Sequence, residues 1–201
     1  MSIANIKQGV QARGMKMQEI EVDKVGAWVI LVGMSGSGKS TLGSALAKKT
    51  GAPFIDVDKW ACQQTQISIN EMFNRLGEAA WREAEFFALN EALQVRGAVV
   101  SVGAGAVGHP ASMQAMLSAK KTGSICMWMD ESDAVIAKRL SGDKSRPLFA
   151  QEVDGIATIE AQRLARQDGY TRLATVRLNG AGKSLRETLD ATEKILAAHA
   201  L

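Results

Sequence analysis

Cysteine is scarce in this chain of 201 residues, which carries only Cys62 and Cys126. The two do not form a CxxC pair, and neither has a histidine at ligand spacing, so the sequence indicates neither a disulfide framework nor a zinc site. We therefore expect two reduced thiols, buried or without a role, in a cytoplasmic protein.

Long apolar runs are also missing. No window approaches the ~20 apolar residues that a membrane-spanning helix needs. The first residues, MSIANIKQGVQARGMKMQEIEVDKVG, lack the apolar core of a signal peptide. We expect a soluble protein with no membrane partner. Residues 1–25 are interpreted as a mobile extension and residues 26–201 as one domain, because this length and a hydrophobic content of 46% support one sizeable core.

Charge of one sign is not in excess either. The formal net charge is +3, and basic residues are mixed with acidic ones along the chain without a Lys/Arg block. A solvated surface explains this pattern better than a nucleic-acid interface does. The expected partners are therefore small molecules, and a monomer is the expected state.

What the chain does have, from Ala27 onward, is an alternation of short apolar runs with helix-like stretches. This pattern is typical of crossover units around a parallel sheet whose strands are covered on both faces. The predicted strands are Trp28–Val32, Pro53–Val57, Ala98–Val102, Ser124–Met129 and Ala174–Leu178. The predicted helices are Lys39–Thr50, Ser68–Leu76, Glu78–Val95, Ala111–Lys121, Ser132–Leu140, Thr158–Gln167 and Leu185–Ala200. We predict an α/β fold with three layers, α/β/α, around a five-stranded parallel sheet.

Residues 33–40 read GMSGSGKS and fit the phosphate-loop motif GxxxxGK[ST] in full, between an apolar strand and a helix, as the motif requires. Backbone N–H groups and the helix N-terminus favour phosphate, Lys39 reaches the β- and γ-phosphates, and the Ser40 hydroxyl ligates magnesium. The predicted fold is therefore that of a P-loop NTPase. The residues predicted to bind ATP in this loop are Gly36, Ser37, Gly38, Lys39, Ser40 and Thr41.

A second stretch, residues 180–184, resembles the end of this motif, but Arg177 stands where the motif requires its first glycine. A turn that leads into a capped helix explains the stretch, since Ser184 and Glu187 have the spacing of a capping box. We predict no phosphate loop there.

Asp56 and Asp58 end the second predicted strand as Asp-Val-Asp. Alternation along a strand would send both carboxylates to one side, at the carboxyl edge of the sheet where open α/β folds bind ligands. One of the two can hold magnesium through water while the other takes a substrate hydroxyl.

Arg82 and Glu85 stand three residues apart on a predicted helix, where they can pair. Residues 77–85, GEAAWREAE, resemble the GExxFRxxE motif of the shikimate kinase family, with Trp81 in place of phenylalanine. The resemblance implies that Arg82 binds a substrate carboxylate and that Glu85 orients the guanidinium, a task that suits the planar fork of arginine.

Residues 103–106, GAGA, are similar to the GGGA block of the same family. Gly103 and Gly105 are retained and are expected to let the backbone approach the substrate closely. Ala104 departs from the pattern and affects either the packing or the identity of the substrate.

Three arginines complete the resemblance, which covers roughly Trp28 to Leu196. Arg139 is similar to the arginine that packs near adenine. Arg146 opens an RPL block like that of the family's lid, and Arg166 opens an RxxxYxxxA block and is expected to be the second clamp on the carboxylate. The resemblance thus implies a mobile lid over residues 141–155 and a helical substrate-binding region over residues 58–89.

The reaction implied is the transfer of phosphate from ATP to the 3-hydroxyl of shikimate, with Mg²⁺, in aromatic amino-acid synthesis through chorismate. Lys39 and Arg146 would stabilise the transferring phosphoryl group, Asp58 would orient the hydroxyl, and Asp56 would reach Mg²⁺ through water. Two alternatives stay open. One is a gluconate-type sugar-acid kinase, whose phosphate loop is similar, and the other is a catalytically silent kinase-like binding or regulatory protein.

Overall fold

The computed structural model describes residues 29–141, 155–180 and 182–199. Five strands within them form one sheet: β1 (Val29–Gly33), β2 (Phe54–Asp56), β3 (Val99–Ser101), β4 (Ile125–Asp130) and β5 (Val176–Asn179). Neighbouring strands all pair in parallel, in the order β2-β3-β1-β4-β5. The predicted five-stranded parallel sheet is confirmed, and every predicted strand lies within two residues of its observed bounds.

The helices of the described part surround this sheet. They are α1 (Lys39–Thr50), α2 (Val57–Thr65), α3 (Ile69–Leu93), α4 (Pro110–Lys121), α5 (Asp133–Leu140), α6 (Gly155–Leu173) and α7 (Leu185–Ala198), with a 3₁₀ turn at Ala106–Gly108. The bounds of α1 match the prediction at both ends. Two predicted helices run together as α3, although Gly77 inside it has a non-helical backbone (φ 82°, ψ 170°) and kinks the axis.

Serine caps fix the start of three of these helices. The hydroxyls of Ser68, Ser132 and Ser184 accept backbone N–H bonds from the residue three positions further on. At Ser184 the side chain of Glu187 also returns the bond to the backbone, so the predicted capping box is complete. The start of α7, which was predicted from capping spacing, therefore has the expected local cause.

Side chains of β1 alternate between two apolar clusters, one on each face of the sheet. Val29 and Leu31 pack with Leu42 of α1 and Leu196 of α7. The side chain of Ile30 belongs to the larger cluster on the opposite face, which includes Leu89, Met116 and Tyr170 from α3, α4 and α6. Because both faces of the sheet are covered by helices, the three-layer α/β/α architecture is confirmed.

The position of Asp58 corrects the interpretation of residues 56–58 as a strand end. Asp56 is the last residue of β2, and its side chain caps α2 by accepting the N–H of Lys59. Asp58 therefore lies in the first turn of a helix, so the argument from strand alternation was wrong. An aspartate at the N-cap and another in the first turn are both favourable for a helix start, and this preference prevails over the apolar pattern.

The order of the strands in the sheet predicts where a ligand would bind. The chain passes from β1 to β2 and β3 on one side and then to β4 and β5 on the other. Ligands of open α/β sheets bind at such a switch point, outside the carboxyl ends of the strands. Residues 34–38, which connect β1 to α1, occupy this point.

Several expectations concern parts of the chain that lie outside the described residues. These are the extension over residues 1–25, nearly all of the expected lid over residues 141–155, and Arg146 within it. Among the helices that the structure describes, none combines the length and apolarity needed to cross a membrane.

Candidate active site

A cavity of about 430 Å³ lies at the carboxyl ends of the strands. This volume is in the range of small-molecule sites. Residues 35–42 of the phosphate loop and α1 line it, together with Asp56 and Asp58 from the next crossover and residues 101–104 after β3. The cavity thus joins the predicted phosphate site to Asp58 and Gly103 of the predicted acceptor side, whereas Arg82, Glu85, Gly105 and Arg166 are not among the described residues that line it.

The phosphate loop is organised around Lys39. Its side chain is buried, and Nζ donates hydrogen bonds of 2.8 Å to the carbonyl oxygens of Gly33 and Met34. Gly36 and Gly38 both have positive φ, 76° and 95°, which glycine adopts at low cost. Lys39 thus lies on the cavity wall and is anchored by the carbonyls of the loop itself.

Ser40 and Asp56 meet at the base of the cavity. The Ser40 hydroxyl donates a 2.6 Å hydrogen bond to Oδ2 of Asp56. The Ser101 hydroxyl lies 3.4 Å from the Ser40 hydroxyl. Such hard oxygen donors suit Mg²⁺, which takes one or two protein oxygens and completes its shell with water and phosphate. In the described parts of the chain, no group of three or more His, Cys, Asp or Glu side chains is placed to hold a metal by itself.

Asp58 and Glu85 converge on Gly103, which follows β3. A methyl group at Gly103 would overlap Oε1 of Glu85 and Oδ1 of Asp58. Glu85 is fully buried. Its burial, and next the charge of Asp58, raise the pKa of Glu85 to about 7, although Arg82 opposes the rise.

The guanidinium of Arg82 is held by two carboxylates of its own helix. Nη1 donates to Oε2 of Glu85 at 2.7 Å, while Nε and Nη2 donate to Oε1 of Glu78 at 3.1 and 2.8 Å. Burial opposes the charge, but both carboxylates favour it, and the pKa of Arg82 is raised. The predicted pairing with Glu85 is present, and Glu78 is a second partner that the sequence interpretation did not name.

Arg166 reaches the same region from α6. Its Nη1 donates to Oε1 of Gln162 at 2.7 Å and lies 4.0 Å from Sδ of Met34 in the phosphate loop. Burial lowers the pKa of Arg166, and so does the positive charge of Arg82. Two partly buried guanidinium groups in one region are suited to an anion, since an anion between them would relieve their repulsion.

Space, rather than backbone angle, explains the glycines after β3. Neither Gly103 nor Gly105 has a positive φ, but a methyl group at Gly105 would overlap the guanidinium of Arg82. Ala104 between them has an ordinary φ, and its carbonyl accepts a 2.8 Å hydrogen bond from the Tyr170 hydroxyl. The glycines leave room for the side chains of Asp58, Arg82 and Glu85. The prediction had explained them by close approach of the backbone to a ligand.

The segment after β5 contributes a wall that the sequence interpretation missed. Gly180 and Lys183 belong to the stretch interpreted only as a turn before a capped helix, yet both line the cavity, as do Leu185 and Thr188 of α7. A position directly after a parallel strand predicts a place at the ligand-binding edge of the sheet, and this signal was available after β5 as it was after β1.

Arg139 on α5, which was predicted to lie near adenine, also lines the cavity, and its Nη1 donates to the carbonyl of Gly36 at 2.9 Å. Glu131, directly after β4, lies on the same wall and was not predicted. Together with the phosphate loop, these residues form part of the cavity wall.

Comparison with known proteins shows which family the chain is similar to. The family model described as shikimate kinase matches residues 35–197. The shikimate kinase of Geobacter sulfurreducens is 36% identical over 170 residues, which cover 85% of this chain and 91% of that protein. A structure titled as shikimate kinase from Acinetobacter baumannii in complex with shikimate has a TM-score of 0.82 at 23% identity, over 89% of this chain and 97% of that one.

A structure of a gluconokinase from Sinorhizobium meliloti is more distant. Its TM-score is 0.53 at 19% identity, over 87% of this chain and 91% of that one. At this identity the likeness shows the fold alone.

Proposed function

This chain belongs to the shikimate kinase family, and from that premise we propose that it transfers the γ-phosphoryl group of ATP to the 3-hydroxyl of shikimate. The family makes it a phosphotransferase with an alcohol acceptor. The products are 3-phosphoshikimate and ADP, in a step toward chorismate and the aromatic amino acids.

The phosphate side of the cavity supplies charge and position. Phosphoryl transfer asks mainly for positioning and for stabilisation of negative charge. Lys39 is buried on the cavity wall. Residues 36–41, which form the end of the loop and the first residues of α1, also line the cavity. We assign ATP binding to this loop and to Arg139.

Mg²⁺ fits the oxygen pair formed by Ser40 and Asp56. Ser40 would bind it directly and Asp56 through water, and when bound it neutralises phosphate charge during transfer. The contact between the two side chains supports this assignment.

The acceptor side binds an organic acid. Arg82 and Arg166 present two guanidinium groups to one region, which suits a carboxylate bound through charge-assisted hydrogen bonds. Glu85 orients Arg82 from behind. Asp58 lies between this region and the phosphate loop, so it receives the hydroxyl that faces the γ-phosphate and accepts its proton.

The observation that carries the proposal is the position of Asp58. It lines the cavity with the phosphate loop and also lies against Gly103 beside Glu85, so one carboxylate connects the two half-sites. Gly103 leaves room for Asp58 and Glu85, and Gly105 leaves room for the Arg82 guanidinium, which supports the assignment of both glycines to the acceptor site.

A direct assay tests the proposal. Purified protein with Mg²⁺ and ATP is given shikimate, gluconate or no acceptor, and ADP release is followed while the product is identified by NMR. We expect shikimate-dependent release of ADP and a phosphate on the 3-hydroxyl. Turnover with gluconate alone would support the sugar-acid kinase instead, and ATP binding without turnover on either acid would support the silent protein.

Some expectations stay predictions. They are a cytoplasmic location, a monomeric state, a single domain over residues 26–201, the lid over residues 141–155 and the phosphate contact of Arg146.

A further inference from the structure

Glu131 is a buried carboxylate that the proposed reaction does not use. It follows β4 directly, and its side chain is only 4% exposed although it lines the nucleotide part of the cavity. Buried carboxylates are rare unless they are paired. Both oxygens of Glu131 have partners: Oε1 accepts the backbone N–H of Ser132 at 2.9 Å, and Oε2 lies 3.4 Å from Nη2 of Arg139.

Arg139 connects this carboxylate to the phosphate loop. Its side chain is 46% exposed, so it would sample several rotamers unless a partner fixed it. One guanidinium nitrogen faces Glu131, and another, Nη1, donates to the Gly36 carbonyl at 2.9 Å. Arg139 therefore links the buried carboxylate of Glu131, at the end of β4, to the phosphate loop at Gly36.

The segment after β5 closes over the other side of the same carboxylate. A methyl group at Gly180 would lie 2.9 Å from Oε2 of Glu131. The N–H of Gly180 is bonded to the carbonyl of Asp130 at 3.0 Å, so the segment is held in this place by the backbone. Glu131 thus pairs with Arg139 and occupies the space that a side chain at position 180 would need.

We propose that Glu131 is a positioning residue for nucleotide binding, which holds the Arg139 guanidinium over the phosphate loop. The inference rests on the proposed function only in taking the cavity as the ATP site. Glu131 acts through Arg139 and not on shikimate, so its loss changes nucleotide affinity selectively.

The test is a double-mutant cycle with Glu131→Gln and Arg139→Gln, read by calorimetric titration with ADP and by Michaelis constants. Glutamine keeps the shape of Glu131 and an acceptor for Ser132 but removes the charge. We expect Glu131→Gln to weaken ADP binding and raise KM for ATP on the order of fivefold, the scale of one ion pair with an exposed partner. KM for shikimate should change less than about twofold, since the two sites are separate.

The cycle separates positioning from packing. In the Arg139→Gln background, Glu131→Gln should cause no further loss of ADP affinity, because the guanidinium on which it acts is gone. An equal loss in both backgrounds, or an unchanged affinity in the single variant, would overturn the proposal. Gly180→Ala gives a second route: it displaces the carboxylate without removing its charge and should weaken ADP binding in the same way.

Two controls make the result specific. Glu193→Gln removes a carboxylate that pairs with Lys49 at 2.6 Å between α7 and α1, and should leave ADP affinity unchanged. Wild-type protein that binds no ADP would refute the proposed function. Wild-type protein that binds ADP, beside a Glu131→Gln variant that binds it equally well, would refute only the role of Glu131.

Discussion

Glu85 is fully buried, and its Oε2 accepts a 2.7 Å hydrogen bond from Nη1 of Arg82, one turn earlier on α3. Its burial and the charge of Asp58 raise the pKa of Glu85 to about 7, above the ordinary 4.5. The folded chain therefore holds a proton that the unfolded chain releases between these two values. Because the folded state binds more protons in this window, the free energy of unfolding falls as pH rises through it.

Replacing Glu85 with glutamine removes this titration. Between about pH 4 and pH 8 we expect the wild-type free energy of unfolding to fall relative to the variant by roughly 3 kcal/mol, from 1.36 kcal/mol for each pKa unit. Urea unfolding at a series of pH values measures the difference. Glu71→Gln, at an exposed position of the same helix, is the control for loss of a carboxylate, and a wild-type-minus-variant difference that does not change with pH would contradict the prediction.

Arg82→Lys and Arg166→Lys test the carboxylate site. Lysine keeps the charge but loses the planar fork, so shikimate binding should weaken by roughly 1–3 kcal/mol while KM for ATP changes little. Arg75→Lys is the matched control, because Arg75 pairs with Glu71 on the exposed side of the same helix. Variants that alter KM for ATP and leave shikimate untouched would remove the main physical support for the acceptor site.

Asp58→Asn separates orientation from charge. The amide still contacts a hydroxyl but neither takes its proton nor supplies negative charge, so kcat should fall on the order of 10²-fold. The affinity for ADP, measured by titration, should stay close to that of the wild type. A wild-type kcat in this variant would assign the proton to another group.

Lys39→Ala tests the phosphate loop. Its ammonium would stabilise the charge on the phosphate and donates to two carbonyls of the loop, so we expect turnover to fall about 10²-fold or more while far-UV circular dichroism keeps its helical signal. Lys48→Ala, in the last turn of the same helix, controls for loss of a lysine from α1. Turnover at the wild-type rate would refute the assignment of this loop.

Gly105→Ala tests whether the loop after β3 sets the place of Arg82. The added methyl group would overlap the guanidinium, so Arg82 must move and KM for shikimate should rise about tenfold, the loss of one charged hydrogen bond. Gly108→Ala is the control, because no atom lies within 4 Å of the position that its methyl group would take. Equal effects of the two substitutions would show that the loop responds to alanine in general.

Local sequence determined a large part of this protein. The five strands and the phosphate loop were predictable because apolar runs, glycines and the GK[ST] ending act within a few residues of each other. The helix that begins at Ser184 was predictable for the same reason, since both partners of its capping box lie within one turn. The pairing of Arg82 with Glu85 also follows from spacing on a single helix.

Other features depend on which elements meet in space. The sequence placed Asp58 at a strand end, whereas a helix start presents it to the cavity. The glycines at 103 and 105 are explained by contacts with side chains of α2 and α3. The most distant of these contacts in sequence, between Asp58 and Gly103, joins residues 45 positions apart.

Glu131 shows most clearly what patterns along the sequence do not predict. Nothing in the residues around it distinguishes a solvated acid at a strand end from a buried one. The parallel pairing of β4 and β5 brings Gly180 beside it, and the packing of α5 after β4 returns Arg139 to it from eight positions further along the chain. Patterns along the chain report forces between near neighbours, whereas burial and ion pairing across the sheet depend on distances that close only when the whole chain is folded.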